Sequence, residues 1–159
     1  MTETTQQGGG GRSWEWTPPA FMNKLMTLAL KTPLLHRAIS SQILLLQWTG
    51  HKSGKSYQTP VGYVRDGDTL TILTKRFRRW WHNFEQPAPV QVRVAGQTYK
   101  ARATALTDVD TIAPIIADVI HERPREAEIF DINMLDETTP DMASVREMAP
   151  KIVVIRVEI

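Results

Sequence analysis

Seven residues, Thr49-Gly50-His51-Lys52-Ser53-Gly54-Lys55, set two cations, two hydroxyls and an imidazole around two glycines. Glycine allows positive φ and close backbone approach. Successive backbone N–H groups in such a turn can form a nest for an anion. Lys52 and Lys55 would add charge to it, and Ser53 and Thr49 would add hydroxyl donors. Phosphate binding is one chemistry this pattern supports. A solvated Gly/Lys turn is the other, and the residue types leave both open. The glycine spacing is not that of a P-loop.

A second dense stretch is Thr74–Phe84, "TKRFRRWWHNF", with four cations and four aromatic residues in eleven positions. Lys and Arg neutralise phosphates and rings stack on bases, so a nucleic-acid reading is natural here. On a short helix beginning near Arg78, however, Trp80, Trp81 and Phe84 stand three and four residues apart and turn inward together. Core packing is then the expected role of the tryptophans. The arginines must line a groove or face solvent, because a buried unpaired charge is costly. His82 and Asn83 are placed to bond a ligand or to cap the local backbone.

Other catalytic sets are missing. There is no cysteine, which removes thiol nucleophiles, disulfides and Cys-based zinc sites. The histidines at 36, 51, 82 and 121 show no metal-binding spacing, and no metal is expected. Chemistry, if any, is expected to come from a cofactor.

The chain has 159 residues, 42% hydrophobic and 23% charged, enough for one domain with a real core. The formal charge is only +2, yet the cations named above and Arg65 fall in the first half and acids gather after Asp108. An anionic partner for the first half follows. The acidic last third argues against nucleic acid, and none is expected. No apolar run reaches bilayer length, and the first residues lack the pattern of a secretory signal. A cytoplasmic protein is expected.

Several elements must position these loops. Residues 1–13 are polar and Gly-rich and read as a flexible tail, leaving 14–159 as a single domain. Trp14 and Trp16 would anchor the tail's end. Residues 20–39 read as a helix interrupted at Pro33. It closes one side of the core or, in a second reading, lies on the inner face of a membrane with Lys24, Lys31, His36 and Arg37 near headgroups. "QILLLQWTG" is a buried strand. "SYQTPVGYVRDG" is a second strand running to a turn at Asp66-Gly67, and "TLTILTK" is the next. "PVQVRVAGQTYKARATAL" makes two strands around Ala95-Gly96. Residues 108–123 form a helix capped by Asp108. Residues 124–149 read as irregular, with a helical turn at Arg125–Phe130. "KIVVIRVEI" is a final strand closing the barrel's edge. The expected class is α+β: a small, mostly antiparallel β-barrel with an N-terminal helix and flanking helices, which the resemblance given next makes a split β-barrel.

At this point a resemblance enters. "TGHKSGKSYQTPVGYVRDGDTLTILT" resembles the deazaflavin (F420)-dependent nitroreductase family of the split-barrel flavin- and deazaflavin-binding superfamily. Thr49, Gly50, Lys52, Ser53, Gly54, Thr59, Pro60, Tyr63, Asp66, Gly67 and Asp68 fall in the family's order. Trp80 or Trp81 with Asn83 is similar to its W-x-x-N-L helix. The likeness covers about residues 44–106. It departs at Thr74–Trp81, where many members have a Gly-rich turn, and at 121–134, where Phe130 is the one aromatic residue.

The resemblance implies an F420H2-dependent oxidoreductase that passes a hydride to a small hydrophobic, conjugated acceptor of the quinone or nitro type. It implies that Lys52, Ser53 and Lys55 hold the phosphate and acidic tail of F420, with Thr49, Gly50, His51 and Gly54 shaping the loop. Arg65 and the cluster Lys75, Arg76, Arg78 and Arg79 would extend the basic groove. Pro60, Val61, Thr59 and Thr74 would border the ring, with Trp81 and Asn83 nearby. Tyr63 or His82 would donate a proton. FMN is the alternative cofactor. The alternative function is a non-catalytic binding module of the same fold for a fatty acid, haem or FMN. By fold analogy the chain is expected to pair as a homodimer.

Overall fold

The computed structural model of the protein describes residues 42–159, together with Lys24 and Leu28. The expected tail and nearly all of the helix at 20–39 lie outside the described residues, as does the boundary at residue 13. Lys24 and Leu28 are helical and exposed.

Seven strands form one sheet: β1 (Ile43–Thr49), β2 (Ser56–Gly62), β3 (Val64–Asp66), β4 (Thr69–Lys75), β5 (Ala88–Val94), β6 (Gln97–Leu106) and β7 (Ile152–Glu158). Their order is β2-β1-β5-β6-β7-β4-β3, and every pairing is antiparallel. The two edge strands, β2 and β3, are consecutive in the chain, with only Tyr63 between them. One residue spans at most about 3.6 Å, so the sheet has to curl until its edges meet at that point. This is the expected split barrel.

Tight turns fix the register. Val94 pairs with Gln97, and the intervening Ala95 and Gly96 both have positive φ, 49° and 80°, as a type I′ hairpin requires. Asp66 pairs with Thr69 around Gly67 at φ 58°. The stretch 56–66, read as one strand, is divided at Tyr63. There the chain leaves one edge of the sheet and starts the other.

β7 closes the barrel as expected, pairing with both β6 and β4. Val153, Ile155 and Val157 point into the barrel, beside Leu44, Leu46, Leu70, Ile72, Val90, Val92 and Phe84. Ile152 and Val154 face the other way, into a second core. Both faces are covered, so the strand reads as a nearly unbroken apolar run. Burying each such side chain contributes about 1.5–3 kcal/mol.

Three helices make that second core: α1 (Val109–Glu122), α2 (Arg125–Ile129) and α3 (Met142–Met148). Asp108 caps α1, its carboxylate accepting the backbone N–H of Thr111 at 2.9 Å. Ile112, Ile116 and Ile120 come from α1, Val145 and Met148 from α3. α3 lies within the segment read as irregular. It is only seven residues long, too short for its periodicity to stand out. Asp141 caps it by accepting the N–H of Ala143.

Candidate functional site

β1 ends and β2 begins at the loop Gly50–Lys55. The loop closes on itself. Gly50 N–H donates to Lys55 O and Gly54 N–H to Gly50 O, each at 2.8 Å. Lys55 N–H donates to Ser53 Oγ at 3.2 Å, and His51 N–H to Asn83 Oδ1 at 3.1 Å. Those four amides are committed, which leaves the successive N–H groups of Lys52 and Ser53. Gly50 is required by the present packing: a Cβ there would stand 2.7 Å from both Ser53 Oγ and a ring carbon of Tyr57, so one of them would have to shift. Gly54, at φ 65°, is required by conformation instead.

The second dense stretch docks on this loop. It is a 3-10 helix, Arg79–Phe84, with Trp81 and Phe84 buried as expected and Trp80 only half-buried. Trp81 Nε1–H donates to Arg76 O at 2.9 Å. Asn83 joins the two segments: Oδ1 also accepts from His51 Nδ1–H at 3.0 Å, and Nδ2–H donates to Trp80 O at 2.8 Å.

Between loop and 3-10 helix lies a cleft of about 550 Å3, lined by Trp48, Gly50, His51, Lys52, Ser53, Tyr57, Arg79, Trp80, His82, Asn83 and Glu85. Its floor is aromatic. Trp48 stacks on Tyr57 at 5.8 Å and packs on Trp80 at 5.6 Å. Its rim carries Lys52 and Arg79. Glu85 Oε1 lies 2.5 Å from His82 Nδ1, which leaves Nε2 of that ring for the cleft. Trp48 Nε1–H is buried with no acceptor among the described residues.

The cleft thus gathers seven of the sequence candidates: Gly50, His51, Lys52, Ser53, Arg79, His82 and Asn83. The others stand elsewhere. Thr49 lines a groove on the far side of β1, and Gly54 and Lys55 are exposed outside the cleft. Pro60 and Val61, expected together at a ring, point to opposite faces of β2. Val61 packs on the barrel core with Thr59 on its side, while Pro60 opposes Leu45. Thr74 is buried inside the barrel end, its hydroxyl without a partner. Lys75 alternates to the helix side, where burial first and Arg78 second push its ammonium down from its ordinary pKa, with Asp131 opposing. Arg78 is half-buried, with Nε unpartnered. Trp81 belongs to the core. Tyr63 lines a separate cleft at the other end of β1; burial raises its phenol's pKa, and Arg65 and Arg123 lower it in part.

Sequence reasoning missed Trp48, Tyr57 and Glu85 as site residues, and it expected Trp80 in the core. The signal for the first two was symmetry about the loop, since Trp48 opposes Tyr57 in the hairpin register. Among the described residues no cluster of three or more His, Asp or Glu side chains forms a metal site, and no helix is long and apolar enough to cross a membrane.

Barrel and cleft together define a split-barrel protein. The chain belongs to the F420H(2)-dependent quinone reductase family, whose sequence model matches residues 26–124. Solved structures share the fold. A protein described as a domain-swapped dimer is 18% identical, with 85% of this chain and 93% of that one covered and a TM-score of 0.53. The F420-H2-dependent reductase FDR-A is 20% identical over 74% of this chain and 94% of that one, with a TM-score of 0.50. The haem storage protein HutZ of Vibrio cholerae is 14% identical over 77% and 83%, at 0.51. No curated protein sequence matches significantly.

Proposed function

We propose that this chain is an F420H2-dependent oxidoreductase acting on a small conjugated acceptor of the quinone or nitro type. One observation carries the reading: two segments about thirty residues apart converge on a single cleft with an aromatic floor and a cationic rim. The donor set fits a phosphodiester with an acidic tail. Lys52 and Arg79 would neutralise it, and the Ser53 hydroxyl would donate to it. Trp48, Tyr57 and Trp80 would cover a flat ring and exclude water. The reduced cofactor supplies the hydride when bound. His82, oriented by Glu85, would hold the proton that completes reduction of the acceptor.

The setting of this reading is cytoplasmic, and its assembly a homodimer, by analogy with the domain-swapped relative; analytical ultracentrifugation reads the latter.

The deciding experiment is a fluorescence titration with F420. Wild-type protein should bind saturably, and more weakly as salt rises, because exposed charges are screened beyond about 8 Å at physiological ionic strength. Lys52→Ala with Arg79→Ala should lose about tenfold or more in affinity. Equal affinity in the double variant sinks the reading. Tight FMN, haem or fatty-acid binding with indifference to F420 would replace it with the binding-module alternative.

A further inference from the structure

The barrel has a second cleft. It measures about 530 Å3 and is lined by Gln42, Tyr63, Val64, Arg65, Glu122, Arg123, Pro124 and Arg125. Gln42 precedes β1 and Gly50 follows it, so the two clefts lie at opposite ends of a seven-residue strand, a separation of about 23 Å. We propose that this cleft binds a small organic anion, its carboxylate or phosphate held between Arg65 and Arg125.

The three arginines do different work. Arg123 is a brace. Its Nη1 donates to Gln42 O and Tyr63 O, both at 3.1 Å, and its Nη2 lies 3.1 Å from Glu126. It thereby ties the start of β1 to the crossing from β2 to β3. Gly62 makes room for it: a Cβ there would come within 2.7 Å of Arg123 Nη1. Among the described residues Arg65 commits only Nε, to Gly67 O at 2.9 Å, and keeps both Nη groups. Arg125 is exposed. Neither Arg65 nor Arg125 forms an ion pair among the described residues. Guanidinium groups with donors to spare match the planar oxygens of a carboxylate or phosphate.

The opposing charges are few. Glu126 is matched to Arg123, which leaves Glu122 as the one carboxylate among the described residues that line the cleft. The Tyr63 phenol, whose pKa burial raises, sits where both Arg65 and Arg123 influence it. The brace holds this geometry before any ligand arrives, which lowers the ordering cost of binding.

The test needs no F420, so it is independent of the proposed function. 15N-labelled protein would be titrated with citrate and with inorganic phosphate at constant ionic strength. We expect saturable shifts at the amides of Gly62, Tyr63, Val64 and Arg125. Arg125→Glu should weaken the binding about tenfold or more, and Lys52→Ala should leave it unchanged. Saturation by citrate alone assigns a carboxylate ligand; saturation by phosphate alone assigns a phosphate ester. The proposal is overturned if neither probe saturates, if the shifts centre on 50–55, or if Arg125→Glu binds like wild type.

Discussion

Asn83 Oδ1 accepts two hydrogen bonds from one residue, the backbone N–H of His51 at 3.1 Å and its Nδ1–H at 3.0 Å. A single amide thus fixes both the position of the loop and the tautomer of its imidazole. The Nε2 of His51 is left as the acceptor on the cleft side.

Asn83→Ala should release the loop. Three hydrogen bonds are lost, each worth about 0.5–1.5 kcal/mol net and at the low end here because the site is partly exposed. Chemical denaturation should show a loss of about 1–2 kcal/mol. F420 affinity should fall further than that stability loss alone implies, since Lys52 and Ser53 lose their placement. Unchanged affinity would show that the loop holds its shape without the clamp.

The two glycines should fail differently. Gly50→Ala forces a Cβ against Ser53 Oγ and the Tyr57 ring, so the cleft wall must shift and ligand affinity should drop. Gly54→Ala meets no atom within 4 Å but must hold a positive φ, a strain of about 1 kcal/mol. Its cost should appear in thermal stability with the cleft nearly intact. Matched effects on stability and affinity in both variants would contradict this division.

His82 and Tyr63, the two candidate proton donors, line different clefts, so one acceptor cannot draw on both. With the acceptor at the Lys52 cleft, His82→Gln should lower kcat about 100-fold with little change in F420 affinity. Tyr63→Phe separates the alternatives: a kcat loss there, with His82→Gln active, would move the chemistry to the Gln42 end.

Two carboxylates should tilt stability with pH in opposite directions. Burial raises the pKa of Glu126 above its ordinary 4.5, with Arg123 opposing. The folded state therefore binds this proton more tightly than the unfolded chain. That contribution is fully present below 4.5 and is lost as pH rises through the folded value. Hydrogen bonds from Thr111 lower the pKa of Asp108 below 3.8. Its contribution is present above 3.8 and is lost as pH falls through the folded value. In pH-resolved denaturation Glu126→Gln should remove the first slope and Asp108→Asn the second. A Glu126→Gln profile parallel to wild type would refute the assignment.

The sequence by itself determined what is local. Alternation marked Leu70, Ile72, Val90, Val92 and Val94 as one-sided strands, Asp66-Gly67 and Ala95-Gly96 announced their turns, and Asp108 announced its helix. It also named seven of the eleven residues that line the cleft, because a Gly-flanked cationic loop and an Arg/Trp-dense stretch are legible as composition. Tertiary structure alone decided what depends on distant pairing. β7 looks like a strand from its residues, but only its two partners make it the wall between two cores. Pro60 and Val61 are adjacent in the chain yet face opposite sides, as strand geometry demands. Tyr63 and His82 look interchangeable on paper and end at opposite ends of one strand. The loop and the Arg/Trp stretch share a cleft because Asn83 reaches His51 across thirty-two residues, and no local pattern encodes a contact of that separation.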